Sequence, residues 1–171
     1  HLYTEIGFKN FQNWMHVGGL DNILYTPNGV LHRELTRNAF LNLLHPFQPF
    51  IIGQRIIGPA MAKKFGVKLV MYGENQAEYG NKLNENFSFS MNNDFFSVKD
   101  DFDIKNIKFG GETIKNIISN TDFTFKEFNI YTPLKKKELK ESDLKMIYLG
   151  FFEKWDPQAV SYTHLRAHET S

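Results

Sequence analysis

A chain of 171 residues with 42% hydrophobic side chains is long enough to build one core, or part of a larger one. Its twenty basic and nineteen acidic side chains leave a formal charge of +1, which excludes a global field drawing it to nucleic acid or to an anionic membrane, so an anionic ligand must be held locally. The lack of cysteine excludes disulfides, thiolate metal sites and thiol nucleophiles, and no run approaches the roughly 20 apolar residues of a membrane-spanning helix, so the expected setting is cytoplasmic.

The chain opens at His1 directly in a helical pattern of Ile6, Phe8, Phe11, Trp14 and Met15, with no capping-residue lead-in, and so reads as starting inside an element. Gly18 and Gly19 end that pattern. Ile23-Leu24-Tyr25, bounded by Asp21-Asn22 and Pro27-Asn28-Gly29, predicts a short buried strand. From Val30 the period changes: Leu31, Leu35, Ala39 and Leu43 recur every four residues, with Phe40 and Leu44 widening the stripe, and predict a helix ended by His45-Pro46. A second apolar helix is predicted over residues 49–65 with Ile52, Ile56, Ala60 and Met61 inward and a kink or break at Gly53, Gly58 and Pro59. Gly66 closes it, and residues 67–72 form the clearest strand of the chain. Strand, helical crossover and strand together imply a right-handed parallel βαβ arrangement.

Beyond Asn81 the signal weakens. A polar, Asn-rich stretch runs to Lys105, followed by a short helix over 113–118 and a Phe-rich amphipathic segment at Phe123, Phe125 and Phe128. This region reads as an insertion covering the sheet edge or the site. The charge run over 135–141 reads as a solvated helix face, and residues 146–150 as another strand.

The richest chemistry sits in the loop 73–81, at the carboxyl end of the clearest strand, where open parallel α/β sheets bind ligands. Gly73 and Gly80 allow close backbone approach, Asn75 adds a polar contact, and Glu74 and Glu78 have the chemistry to hold Mg²⁺ on a polyphosphate or to orient an attacking amine. Tyr79 and Asn81 complete the loop as substrate-facing positions; the competing reading is an ordinary solvated Asn-Gly-rich loop. His45 is a second candidate, as a base, although a histidine at a helix carboxyl end more often caps carbonyls. Gln48, Gln54 and Arg55 either face a sugar or phosphate or pack as polar residues of a kinked helix. No Gly-x-Ser-x-Gly, His-Glu-x-x-His, Gly-x-Gly-x-x-Gly or Gly-x-x-x-x-Gly-Lys motif occurs. His164 and His168 have helical i,i+4 spacing, but residues 161–171 break with the preceding composition and look like a translated sequencing-adapter read, so the pair is set aside as a metal site.

Four stretches carry a resemblance: Asp21-Asn22-Ile23-Leu24-Tyr25-Thr26-Pro27-Asn28-Gly29; His45-Pro46-Phe47-Gln48-Pro49-Phe50; Met71-Tyr72-Gly73-Glu74-Asn75 with Glu78-Tyr79-Gly80; and the run from Tyr148 through Trp155 to Gln158. Together they resemble the N-acetyl sugar amidotransferases of the PP-loop ATP pyrophosphatase superfamily, which serve lipopolysaccharide O-antigen and flagellar pseudaminic acid pathways. The resemblance spans residues 10–158. It implies an α/β fold with a partial Rossmann-like parallel sheet, of the adenine nucleotide alpha hydrolase type, with helical crossovers and an irregular insertion. It also implies an activity: ATP and Mg²⁺ activate an acetamido oxygen by adenylylation, and ammonia from a partner glutaminase displaces AMP to leave an acetamidino group. The substrate would be a free or nucleotide-activated N-acetyl sugar, with neither nucleic acid nor membrane as partner. By similarity to the acidic Gly-rich loop of asparagine synthetases, Glu74 and Glu78 would handle Mg²⁺–pyrophosphate or position the amine.

The family's Ser-Gly-Gly-x-Asp-Ser phosphate loop, its N-terminal cysteine motifs and its C-terminal helical region are not found here. The expectation is therefore an internal fragment, inactive alone. Residues 1–80 would be the later half of the nucleotide domain, 81–144 the insertion, 145–158 a further strand and helix start, and 159–171 an artefactual tail. The alternatives are another PP-loop ligase of tRNA-thiolation or NAD-synthetase type, and a non-catalytic sugar- or partner-binding module built on Tyr148, Trp155 and the Phe-rich surface.

Overall fold

A computed structural model describes residues 4–73 and 88–153 as a mixed α/β arrangement with small parallel sheets. Helix α1 (Glu5–Gly18) begins where the Thr4 side chain accepts the Gly7 N–H and stops at Gly19, which takes the left-handed conformation at φ 60°. The expected helix is present, but it starts at the Thr4 cap and not inside an element; none of its residues is buried, and Ile6, Phe8, Trp14 and Val17 face water.

The strand expected at Ile23-Leu24-Tyr25 does not form. Residues 19–28 are neither helix nor strand, and Ile23, Leu24 and Tyr25 are exposed. The end of this segment is committed instead to starting the next helix: the Asn28 side chain accepts the Val30 and Leu31 N–H groups. An apolar triplet becomes a strand only against a partner edge, so the expected βαβ unit built on it does not form among the described residues.

Helix α2 (Gly29–Leu43) buries Leu31, Leu35 and Ala39 on the predicted four-residue spacing, whereas Phe40, Leu43 and Leu44 stay exposed, so the stripe is narrower than expected. Helix α3 (Gln48–Phe65) matches the predicted span and runs without a break through Pro59 to Gly66 at φ 69°. Its inward face is Pro49, Gly53, Ile56, Pro59 and Ala62. Of the four predicted inward positions, Ile56 is on that buried face, while Ile52, Ala60 and Met61 are half-buried. The face turns toward small residues because they admit close neighbours. A methyl group at Gly53 would meet the Tyr131 ring at 3.5 Å, and one at Gly58 would meet the Tyr72 hydroxyl at 3.0 Å.

Proline at 59 cannot donate to the carbonyl four residues earlier, which belongs to Arg55. The Tyr72 hydroxyl donates to that carbonyl at 2.7 Å, so the strand supplies the hydrogen bond that the helix lacks and the helix continues without interruption.

Strand β1 (Leu69–Tyr72) ends with that tyrosine. The short strands that follow are β2 (Ser97–Val98), β3 (Lys108–Phe109), β4 (Glu112–Thr113) and β5 (Leu134–Lys135), and the last is β6 (Lys145–Tyr148). β1 and β6 run parallel, in register from Leu69 opposite Lys145 to Tyr72 opposite Tyr148. The far edge of β6 is lined by residues 89–91: Met91 N–H donates to the Met146 carbonyl at 2.9 Å, and Tyr148 N–H to the Phe89 carbonyl at 3.2 Å. β2 and β5 form a second parallel pair, and β3 and β4 an antiparallel hairpin turned by Gly110 and Gly111, both at positive φ. Helix α4 (Ile114–Ser119) follows the Thr113 cap, and α5 (Lys136–Glu141) is the charged helix expected from the sequence.

Two apolar clusters hold these pieces. One joins Leu31 and Leu35 of α2 to Phe109, Ile114 and Ile117, with Phe128 and Tyr131 from the 3-10 turn Phe125–Tyr131. The other joins Ala62 of α3 to Met91, Phe96, Leu139, Leu144, Met146 and Tyr148, and so underlies the β1–β6 pair. Among the described residues no helix is long and apolar enough to cross a membrane.

Candidate functional site

Parallel pairing places the carboxyl ends of β1 and β6 side by side, at Tyr72 and Tyr148. This is the end at which open parallel sheets present ligands, because the backbone turns away there and leaves a crevice. Gly73 follows β1 directly and is exposed.

Around that end the structure gathers a cation in an aromatic frame. The Tyr72 ring stacks on Phe96, centroids 5.5 Å apart at 28°, and its hydroxyl holds the Arg55 carbonyl. The Arg55 guanidinium lies 5.3 Å from the centre of the Phe95 ring, a cation–π contact that orients it while leaving its charge intact. Arg55 is half-buried, and Gln54, its neighbour on α3, is exposed. A ring-oriented guanidinium at the carboxyl end of a parallel pair is suited to phosphate or carboxylate.

His45 and Gln48 are placed differently. His45 is exposed between α2 and α3, where its N–H donates to the Ala39 carbonyl and its own carbonyl accepts the Gln48 N–H. Its backbone thus closes one helix and leads into the next. The Gln48 side-chain oxygen accepts the Gly110 N–H at 2.7 Å, so it ties α3 to the β3–β4 hairpin. Gln48 also lies seven residues before Arg55 on α3, about 10 Å along the helix axis. Glu74, Asn75, Glu78, Tyr79, Gly80 and Asn81 lie outside the described residues, as do Trp155, His164 and His168.

Sequence reasoning missed a second polar pair. His32 Nδ1 and the Tyr131 hydroxyl share a hydrogen bond at 2.6 Å, and the two rings stack at 6.2 Å. Burial holds the His32 imidazole below its ordinary value and pushes Tyr131 up to about 12, so both groups are favoured in their neutral forms. The partners are 99 residues apart, and nothing local in either sequence signals the pairing. The same holds for the bond from Tyr72 to Arg55, although the proline at 59 marks the carbonyl that needs it.

Two carboxylates are held below the usual range by structural contacts: Glu127 by the Thr124 N–H and then the Asn28 amide, and Glu138 by Lys63 and then the Lys135 N–H. Both brace helix starts. A polar cleft of about 380 Å³ beside α5 is lined by Asp94, Ser97, Lys136 and Lys140 among others, with Lys136 paired to Asp94 at 2.6 Å. Among the described residues no group of three or more His, Asp or Glu side chains is gathered as a metal site. A scan against protein-family models finds no match to this chain, and a search of curated proteins finds none.

Proposed function

We propose that this chain is a segment of an ATP-dependent amidotransferase that converts the acetamido group of an N-acetyl sugar to acetamidino in surface-polysaccharide or flagellar glycan synthesis. The observation that supports the reading is the parallel pairing of β1 with β6, at whose carboxyl end Gly73 follows Tyr72 and the Tyr72 hydroxyl donates to the Arg55 carbonyl. On this reading β1 and β6 belong to a larger Rossmann-like sheet, ATP and Mg²⁺ occupy its carboxyl edge, and a glutaminase delivers ammonia in the cytoplasm.

The chemistry needs such an edge. An amide oxygen is a poor leaving group until it is transferred to phosphorus: it attacks the α-phosphate of ATP, pyrophosphate departs, ammonia adds to the activated carbon, and AMP leaves with the original oxygen. Arg55 would stabilise charge developing on the phosphates, while Glu74 and Glu78 would hold Mg²⁺ or receive a proton from the attacking amine. Gln54, exposed beside Arg55, would face the substrate.

The test is release of AMP and pyrophosphate by the product of the intact gene, supplied with ATP, ammonia and a panel of N-acetyl sugars including UDP-N-acetylglucosamine. Sugar-dependent AMP is expected, and Arg55→Ala should reduce it more than Arg55→Lys. ADP in place of AMP, or no sugar-dependent AMP across the panel, would overturn the proposal.

A further inference from the structure

The chain contains one Asn-Gly dipeptide, Asn28-Gly29, and it falls at the start of α2, where both residues are exposed. Asparagine followed by glycine is the dipeptide most prone to lose its side-chain ammonia, because glycine has no side chain to keep its nitrogen from reaching the asparagine side-chain carbon. The structure restrains that side chain from both ends. Its oxygen accepts the Val30 and Leu31 N–H groups at 2.9 and 3.3 Å, and its nitrogen donates to the Glu127 carboxylate at 2.5 Å. Glu127 belongs to the 3-10 turn Phe125–Tyr131, 99 residues away in sequence. The bond therefore clamps α2 to the turn that supplies Phe128 and Tyr131 to the same apolar cluster as Leu31 and Leu35. Around Gly29 there is open space: an added methyl group would meet nothing within 4 Å.

We propose that Asn28 is a deamidation site, held unreacted by its bonds to Glu127 and to the first turn of α2, and that its reaction releases the clamp. In that reaction the Gly29 nitrogen loses its proton and attacks the Asn28 Cγ, and the new C–N bond closes a succinimide. The Cγ–Nδ2 bond breaks, and the amide nitrogen leaves as ammonia. Water then opens the ring to aspartate or isoaspartate. Ring closure turns Cγ toward the Gly29 nitrogen, which draws the oxygen off the Val30 and Leu31 N–H groups and the nitrogen off Glu127, so both restraints open first. An aspartate product still caps α2, since a carboxylate accepts the same N–H groups, but it cannot donate to Glu127. Glu127 is held below the usual carboxylate range by the Thr124 N–H and then the Asn28 amide, and so is ionised. Two carboxylates then face each other where an amide met one. Isoaspartate goes further and adds a methylene to the backbone at the cap. Deamidation thus turns an attractive contact between α2 and the 125–131 turn into a repulsive one, and does so irreversibly.

Peptide mapping by mass spectrometry follows the amide-to-acid mass gain at Asn28 during incubation at mildly alkaline pH, in the chain and in a synthetic peptide of residues 25–33. The peptide should react fast and the folded chain slowly. Glu127→Ala should speed the chain about fivefold, the factor by which one exposed hydrogen bond favours the closed state. Glu127→Gln, which keeps an acceptor, should speed it less. Gly29→Ala, which the open space accommodates, should slow the reaction in chain and peptide alike. Equal rates in chain and peptide, or a chain rate that Glu127→Ala leaves unchanged, would overturn the proposal. Because Glu127→Ala also removes the Thr124 contact, the clamp is read separately in the product. Asn28→Asp should lower the thermal midpoint by about 2–4 °C, and adding Glu127→Gln should restore most of that loss. An unchanged midpoint in Asn28→Asp, or no recovery on adding Glu127→Gln, would show that this contact does not hold the turn and would equally overturn the proposal.

Discussion

Gly110 stands where the β3–β4 hairpin turns against the backbone of α2, at φ +58°. A methyl group there would lie 2.4 Å from the Asn38 carbonyl carbon, 2.5 Å from its oxygen and 2.6 Å from the Ala39 nitrogen. Those atoms are helix backbone and cannot rotate away. The hairpin must therefore back off, which strains the Asn42 side-chain bond to the Gly110 carbonyl and the Gly110 N–H bond to Gln48, 2.8 and 2.7 Å long. Left-handed backbone costs a non-glycine residue about 1–2 kcal/mol. Overpacking against an immovable wall adds about 1–3 kcal/mol. Gly110→Ala should thus destabilise by about 3 kcal/mol, lowering the thermal midpoint by about 6–12 °C at this chain length. Gly111→Ala supplies the control: it shares a positive φ, +85°, but its added methyl meets nothing within 4 Å, so only the conformational cost of about 1–2 kcal/mol remains. Thermal and urea unfolding followed by circular dichroism measure both. Equal losses for the two alanines would refute the claim that close approach, rather than backbone strain, governs this turn.

Other substitutions test the remaining contacts. Gln48→Ala removes the acceptor for the buried Gly110 N–H and should cost about 1–3 kcal/mol in urea unfolding, whereas Gln48→Glu keeps an acceptor and should cost less. Tyr72→Phe leaves the Arg55 carbonyl without the hydroxyl that replaces the missing proline N–H, and should lower stability by about 1–2 kcal/mol; with Pro59→Ala added, the cost should shrink. For His32 the folded pKa lies below the ordinary 6.5, so its contribution to stability is complete above pH 6.5 and is lost as pH falls toward the lowered value. Tyr131 has the opposite sign: its contribution is complete below pH 10 and disappears as pH rises toward about 12. Urea midpoints measured across pH should show both slopes, and His32→Gln should remove the acid one.

Helices were the most legible part of the sequence, because a four-residue apolar period is a local signal. Leu31, Leu35 and Ala39 are buried as their spacing predicts, and α3 occupies nearly the predicted span. Strands were legible only where the partner exists. Residues 69–72 formed one because β6 lies beside them, while Ile23-Leu24-Tyr25, equally apolar, stayed irregular and exposed. Periodicity also misjudged α1, whose apolar residues remain in water. At the candidate site, chain order placed Gly73 at a strand end, but the contacts that orient Arg55 come from Phe95 and Tyr72, 40 and 17 residues away, and no local rule finds them. Gln48 shows the converse: it resembles a ligand-facing amide in sequence, and its oxygen is bonded to a hairpin 62 residues on.

The proposed reaction adenylylates an acetamido oxygen. Its most direct measurement uses an N-acetyl sugar with heavy oxygen in the acetamido carbonyl, supplied with ATP and ammonia to the intact gene product, with the released AMP analysed by mass spectrometry. The account predicts AMP carrying the heavy oxygen in equal amount to acetamidino sugar. Unlabelled AMP, or an unchanged acetamido sugar beside ADP, would contradict it.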